Sequence, residues 1–98
     1  MKAQIYNFTD WIDETDPETI KRRFDWLLVS SGFGVLSFSE HYFKPYGYSS
    51  LYLLSESHLA IHTFPEEGQT YIELSSCVNK PYRRFLSLYV KNSEVFNG

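Results

Sequence analysis

Residues 15–43, TDPETIKRRFDWLLVSSGFGVLSFSEHYF, contain a change of hydrophobic period that decides the fold. Asp16 or Thr15 can cap a helix, Pro17 sits in its first turn with φ already set, and Glu18 suits the positive end of the dipole. Ile20, Phe24, Leu27 and Leu28 follow at i, i+4, i+7 and i+8, which makes an apolar stripe, while Lys21, Arg22 and Asp25 face water. Gly32 and Gly34 stop the helix, so it is predicted over 16–31. From Val35 to Phe43 the period becomes two, and a strand is predicted there.

Outward from this switch, residues 3–9 are rich in strand formers and are predicted to open the fold as a strand. Lys44-Pro45-Tyr46-Gly47 breaks the strand that begins at Val35. Ser50 to Leu54, His58 to Phe64 and Gln69 to Cys77 read as further extended runs, with Pro65-Glu66-Glu67-Gly68 as a turn. Pro81 opens a second helix, with Tyr82, Phe85, Leu86, Tyr89 and Val90 on one side. The element order is read as β-α-β-β-β-α. That order implies an α+β two-layer sandwich, a mostly antiparallel sheet with both helices on one face.

The chain has 98 residues, enough for a single domain over 1–98 and too few for a second core. Aromatic residues reach 18%, a large apolar area for a core or a partner interface. Nine basic against twelve acidic side chains leave a net charge of −3, and the basic residues form only local groups, Lys21-Arg22-Arg23 and Arg83-Arg84. Nucleic acid is not expected as a partner, because a duplex is held by a basic face. No uninterrupted apolar run exceeds four residues, so no membrane span is expected. The first residues lack the apolar core of a secretory signal and Cys77 is the only cysteine, which together point to a reducing cytoplasm.

Ser55, Glu56, Ser57, His58 and His62 lie within eight residues, and Cys77 follows on the next strand. His58 and His62, four apart on a strand, share a face with Ala60, and Ser57 takes the opposite face if the strand is regular there. On residue chemistry alone this is a possible site and no more. A strand histidine is most often structural, and a lone cysteine is most often a small buried hydrophobe. A hydrolase triad lacks its Gly-x-Ser-x-Gly elbow. Zinc lacks the paired ligand spacings, and no metal is expected.

The run Leu54-Ser55-Glu56-Ser57-His58-Leu59-Ala60-Ile61-His62-Thr63-Phe64-Pro65-Glu66, then Gly68 and Cys77, resembles the prokaryotic S-adenosylmethionine decarboxylase proenzymes. Phe43-Lys44-Pro45-Tyr46-Gly47-Tyr48-Ser49 is similar to that family's preceding segment. The resemblance implies a pyruvoyl enzyme of polyamine (spermidine) biosynthesis that cuts itself between Glu56 and Ser57 into chains 1–56 and 57–98. Ser57 would become the pyruvoyl group that binds substrate as a Schiff base. His62 would serve processing with help from Ser49, and Cys77 would donate a proton in decarboxylation. Phe43 would stack on adenine, Glu66 would hold the ribose hydroxyls, and Phe64 would line the substrate site.

The residue types suit that chemistry. A serine hydroxyl can attack the preceding carbonyl in an N→O shift where the peptide is strained and an acid or base is near. A small sandwich has little depth for a nucleoside, so a homodimer with shared sites is expected. Two alternatives stay open: a pyruvoyl decarboxylase of ornithine or arginine, and an unprocessed homologue that binds a ligand or partner. Phe64 where the family usually has Trp, and Val78 where Gly commonly follows the cysteine, bear on the substrate more than on processing.

Overall fold

A computed structural model describes residues 2–92, so the extreme ends of the domain expected over 1–98 lie outside the described residues. The elements are β1 (Tyr6–Ile12), α1 (Pro17–Ser31), β2 (Val35–Tyr42), β3 (Tyr48–Leu54), β4 (Ser57–Phe64), a 3₁₀ turn (Pro65–Glu67), β5 (Gln69–Ser76) and α2 (Asn79–Lys91). The five strands form one antiparallel sheet in the order β1-β5-β4-β3-β2. The α+β sandwich expected from the sequence is present. The order β-α-β-β-β-α is corrected by one strand, because β2 to β5 are four separate strands of a meander.

Helix α1 follows its sequence signals. Asp16 caps it by accepting from the Thr19 amide at 3.0 Å, and Gly32 ends it in the left-handed region at φ 91°. The Thr19 hydroxyl first, and then its amide, both donating to this carboxylate, hold the Asp16 carboxyl below its ordinary range. Ile20, Phe24, Leu27 and Leu28 are all buried, as the stripe requires.

Three elements shift a boundary by two residues or more and one side chain differs from expectation. Strand β3 starts at Tyr48, not Ser50, because buried Tyr48 continues the inward alternation. The first strand lies at 6–12, not 3–9, because Asp10-Trp11-Ile12 continues the alternation and Ile12 is fully buried. Asp10 breaks the apolar pattern in sequence, yet its carboxylate accepts the Tyr89 hydroxyl within the fold. Helix α2 begins two residues before Pro81, which the first turn tolerates because its amides have no helical partner. Val90, expected on the packed side, is 67% exposed. At 100° per residue it falls outside the stripe centred on Phe85 and Tyr89.

Both helices cover one sheet face. Ile20, Phe24, Leu27 and Leu28 of α1 and Phe85 and Tyr89 of α2 share a core with Tyr52, Leu54, Leu59, Ile61, Ile72 and Leu74 of the strands. Phe24 and Phe85 stack with ring centroids 6.4 Å apart where the helices meet. Three phenols at the rim of this core are clasped by carboxylates: Tyr48 by Glu40 at 2.6 Å, Tyr52 by Asp25 at 2.6 Å, and Tyr89 by Asp10. Burial first, and then the neighbouring carboxylate, raises each phenol well above its ordinary value. On the other face, Trp11, Leu51, Leu53 and Phe64 stand 39–50% exposed beside His58 and His62.

Candidate active site

Strand β4 is regular from its first residue, so its side chains alternate strictly between the two faces. Ser57, Leu59, Ile61 and Thr63 point to the helices, while His58, Ala60, His62 and Phe64 point away. The expected functional residues therefore fall into two groups at opposite ends of β4, and of those on β4 only Ser57 turns its side chain to the helices.

The first group surrounds the Glu56–Ser57 peptide at the β3–β4 turn. Glu56 has φ 57°, the only non-glycine residue with positive φ among the described residues. A side chain in that region costs on the order of 1–2 kcal/mol, so the residue before Ser57 is held in strain. Gly34 braces the turn. Its carbonyl accepts the Ser55 amide at 3.0 Å, and a side chain there would stand 3.2 Å from Ser55 Oγ.

The Glu56 carbonyl oxygen accepts two bonds from one residue, the Cys77 amide at 3.2 Å and the Cys77 thiol at 3.1 Å. Two donors on one carbonyl oxygen polarise it and stabilise negative charge developing there, as in an oxyanion hole. Ser57 lies inside, 8% exposed, and its hydroxyl donates to Ser76 Oγ at 2.7 Å. A cleft of about 350 Å³, lined by Ile5, Leu53, Glu56, Ser57, His58, Ser75 and Cys77 among others, opens onto this peptide.

The second group sits at the far end of β4. Ser49 and His62 are register partners on β3 and β4, with Ser49 Oγ 2.7 Å from His62 Nδ1. Either can donate, according to the imidazole tautomer. A cleft of about 340 Å³ joins them to Phe43, Tyr46, Phe64 and Glu66. Phe43 stands half-exposed in the β2–β3 loop with its ring 4.5 Å from that of His41, and Glu66 lies in the 3₁₀ turn. Ser49, His62, Phe43, Phe64 and Glu66 thus come together. Ser57, Glu56 and Cys77 come together separately. Five residues of strand, about 17 Å, separate Ser57 from His62.

Sequence reasoning passed over two residues of these clefts, Tyr46 and Ser76, and one beside them, His41, whose ring meets that of Phe43. Tyr46 and His41 carry no spacing signal, because one lies in a loop and the other on an edge strand. Ser76 reads as an ordinary small polar residue, and only the β4–β5 register sets it opposite Ser57. Among the described residues, no group of three or more His, Cys, Asp or Glu lies close enough to hold a metal ion.

The family described as S-adenosylmethionine decarboxylase matches residues 4–92. The chain belongs to that family. It is 40% identical over 62 residues to an S-adenosylmethionine decarboxylase proenzyme of Geobacillus sp. (strain WCH70), covering 63% of this chain and 50% of that one. To S-adenosylmethionine decarboxylase proenzyme 2 of Bacillus cereus it is 51% identical over 47 residues, 48% of this chain and 38% of the relative. The chain spans about half or less of the length of the curated relatives it matches. The crystal structure of the adenosylmethionine decarboxylase of Aquifex aeolicus VF5 superposes with a TM-score of 0.74 at 18% identity, over 96% of this chain and 83% of that one. That likeness establishes a shared fold.

Proposed function

We propose that this chain is a self-processing, pyruvoyl-dependent decarboxylase of S-adenosylmethionine, acting in polyamine biosynthesis in the cytoplasm. The observation that carries the reading is the Glu56 carbonyl, strained at φ 57°, doubly bonded by Cys77 and followed directly by Ser57. This donor set fits the formation of a pyruvoyl group at position 57: the hydroxyl is the nucleophile, the Glu56 carbonyl the target, and Cys77 the holder of the developing oxyanion. A pyruvoyl group supplies a ketone that takes up the substrate amine and draws electrons as carbon dioxide leaves.

Cys77 serves twice on this reading. Before cleavage its amide and thiol hold the carbonyl. Once the Glu56–Ser57 bond is cut, the thiol loses that partner and is free to give its proton to the substrate carbon. Phe43 offers a π face for adenine, and Glu66, in the same cleft, offers a carboxylate for the ribose diol. Ornithine or arginine would leave Phe43 without a ring to meet.

The two groups of residues explain why a homodimer is part of the proposal. His62 of one copy cannot reach its own Ser57 across about 17 Å. Two open faces packed with their β4 strands antiparallel would lay the His62 end of one copy over the Ser57 end of the other. Trp11, Leu51, Leu53 and Phe64 supply the apolar area for that contact. The test is intact mass on aged, pure protein, with fragments 1–56 and 57–98 expected and the second blocked to Edman degradation. An uncut chain that persists indefinitely would leave only a binding role.

A further inference from the structure

We propose that Ser76 is a positioning residue for self-cleavage: it holds the proton of the Ser57 hydroxyl and leaves that oxygen's lone pairs free for the Glu56 carbonyl carbon. The inference rests on the self-cleavage reading and adds a residue to it. Ser57 and Ser76 are direct partners in the β4–β5 ladder, both buried, with Ser57 Oγ donating to Ser76 Oγ at 2.7 Å. Ser76 is itself fixed by Val78, whose amide donates to Ser76 Oγ at 3.1 Å and whose carbonyl accepts from it at 3.2 Å. One donation and two acceptances exhaust the capacity of a hydroxyl. The Ser76 oxygen can therefore face Ser57 only as an acceptor.

A serine attacks well when its proton points to an acceptor and a lone pair points to the carbon. Ser76 supplies that acceptor, and the next residue, Cys77, holds the oxygen of the carbonyl under attack. Two consecutive residues thus grip both partners of the reaction. His62 of the same copy, on the opposite face at the far end of β4, cannot hold this proton. The shift is an isomerisation. The bond from Glu56 carbon to Ser57 Oγ forms, the bond from that carbon to the Ser57 nitrogen breaks, and the hydroxyl proton ends on the nitrogen. Ser76 is unchanged at the end.

Ser76→Thr and Ser76→Val have nearly the same shape and differ by the hydroxyl, so packing losses at this buried position strike both alike. Full-length chains are made by cell-free synthesis and chased. Mass spectrometry follows the fragments, hydroxylamine release follows the ester, and a thermal melt confirms folding. Ser76→Val should slow ester formation on the order of 10²-fold, the scale of a misplaced reacting group, while Ser76→Thr stays near the wild-type rate. Equal rates for Val and Thr, whether fast or slow, would overturn the role of Ser76 while leaving self-cleavage standing. Wild-type chains that never cleave would instead sink the underlying reading.

Discussion

The two faces of this sheet are built from the same strands and have opposite characters. Towards the helices, β3, β4 and β5 present Tyr52, Leu54, Leu59, Ile61, Ile72 and Leu74, closed off from water and rimmed by phenols held on carboxylates. Away from the helices the alternate residues are Ser49, Leu51, His58, His62, Tyr71 and Glu73, with no layer of the described residues over them. The closed face makes the domain stable. The open face has polar chemistry and apolar area together, which suits a second copy. Ser57 breaks this division, because the proposed nucleophile lies on the closed side while the histidine proposed to serve it lies on the open one.

The largest expected effect is at that exception. Ser57→Ala should never cleave, since no hydroxyl is left to attack, and electrophoresis of aged protein would show one full-length band. Cys77→Ala comes next. The position keeps its amide on the Glu56 carbonyl, so cleavage should continue, and borohydride should still trap substrate on the 57–98 chain. Decarboxylation should fall on the order of 10²–10⁴-fold, the usual scale for a lost general acid. Wild-type turnover in Cys77→Ala would reduce the cysteine to a structural clasp.

On the closed face, Phe24→Ala removes a fully buried ring that stacks on Phe85, and should cost about 3–5 kcal/mol in urea denaturation. On the open face, Leu51→Lys changes a side chain that is 48% exposed. It should cost the isolated fold no more than about 1 kcal/mol, the span of strand propensity, yet abolish the dimer in light scattering. An intact Leu51→Lys dimer would place the contact elsewhere.

The smallest effect concerns pH. Tyr48, Tyr52 and Tyr89 have their folded values raised above the unfolded phenol's 10.0, so the folded state keeps protons that the unfolded chain releases. The stability they confer is complete below that value and lost as pH rises through the folded values. Urea midpoints should therefore be level through neutral pH and drop above about pH 10. Replacing Tyr52 by Phe should soften the drop.

Much of the closed face could be read from the sequence. Asp16-Pro17-Glu18 and the stripe from Ile20 to Leu28 are local signals, and the helix ends where Gly32 and Gly34 say. The first strand was harder to place, because Asp10 looks like a turn residue until Tyr89, far along the chain, reaches it. The candidate site was legible as a set of residues and not as an arrangement. Whether Ser57 faces His62 depends on the parity of β4 and on the turn at Glu56, and a single bulge would reverse it. Ser76 depends on register between strands, which no local pattern encodes.

One site divided between two copies is the central proposal, and mixing variants tests it directly. On this proposal Ser57→Ala keeps His62 but cannot be cut, and His62→Ala keeps Ser57 but lacks the proposed processing group. Each alone should stay whole. Co-expressed with different tags, the His62→Ala chain should cleave beside its Ser57→Ala partner, and the Ser57→Ala chain should not. A His62→Ala chain that cleaves alone at the wild-type rate, or one that stays whole in a verified mixed dimer, would contradict a site shared across the open faces.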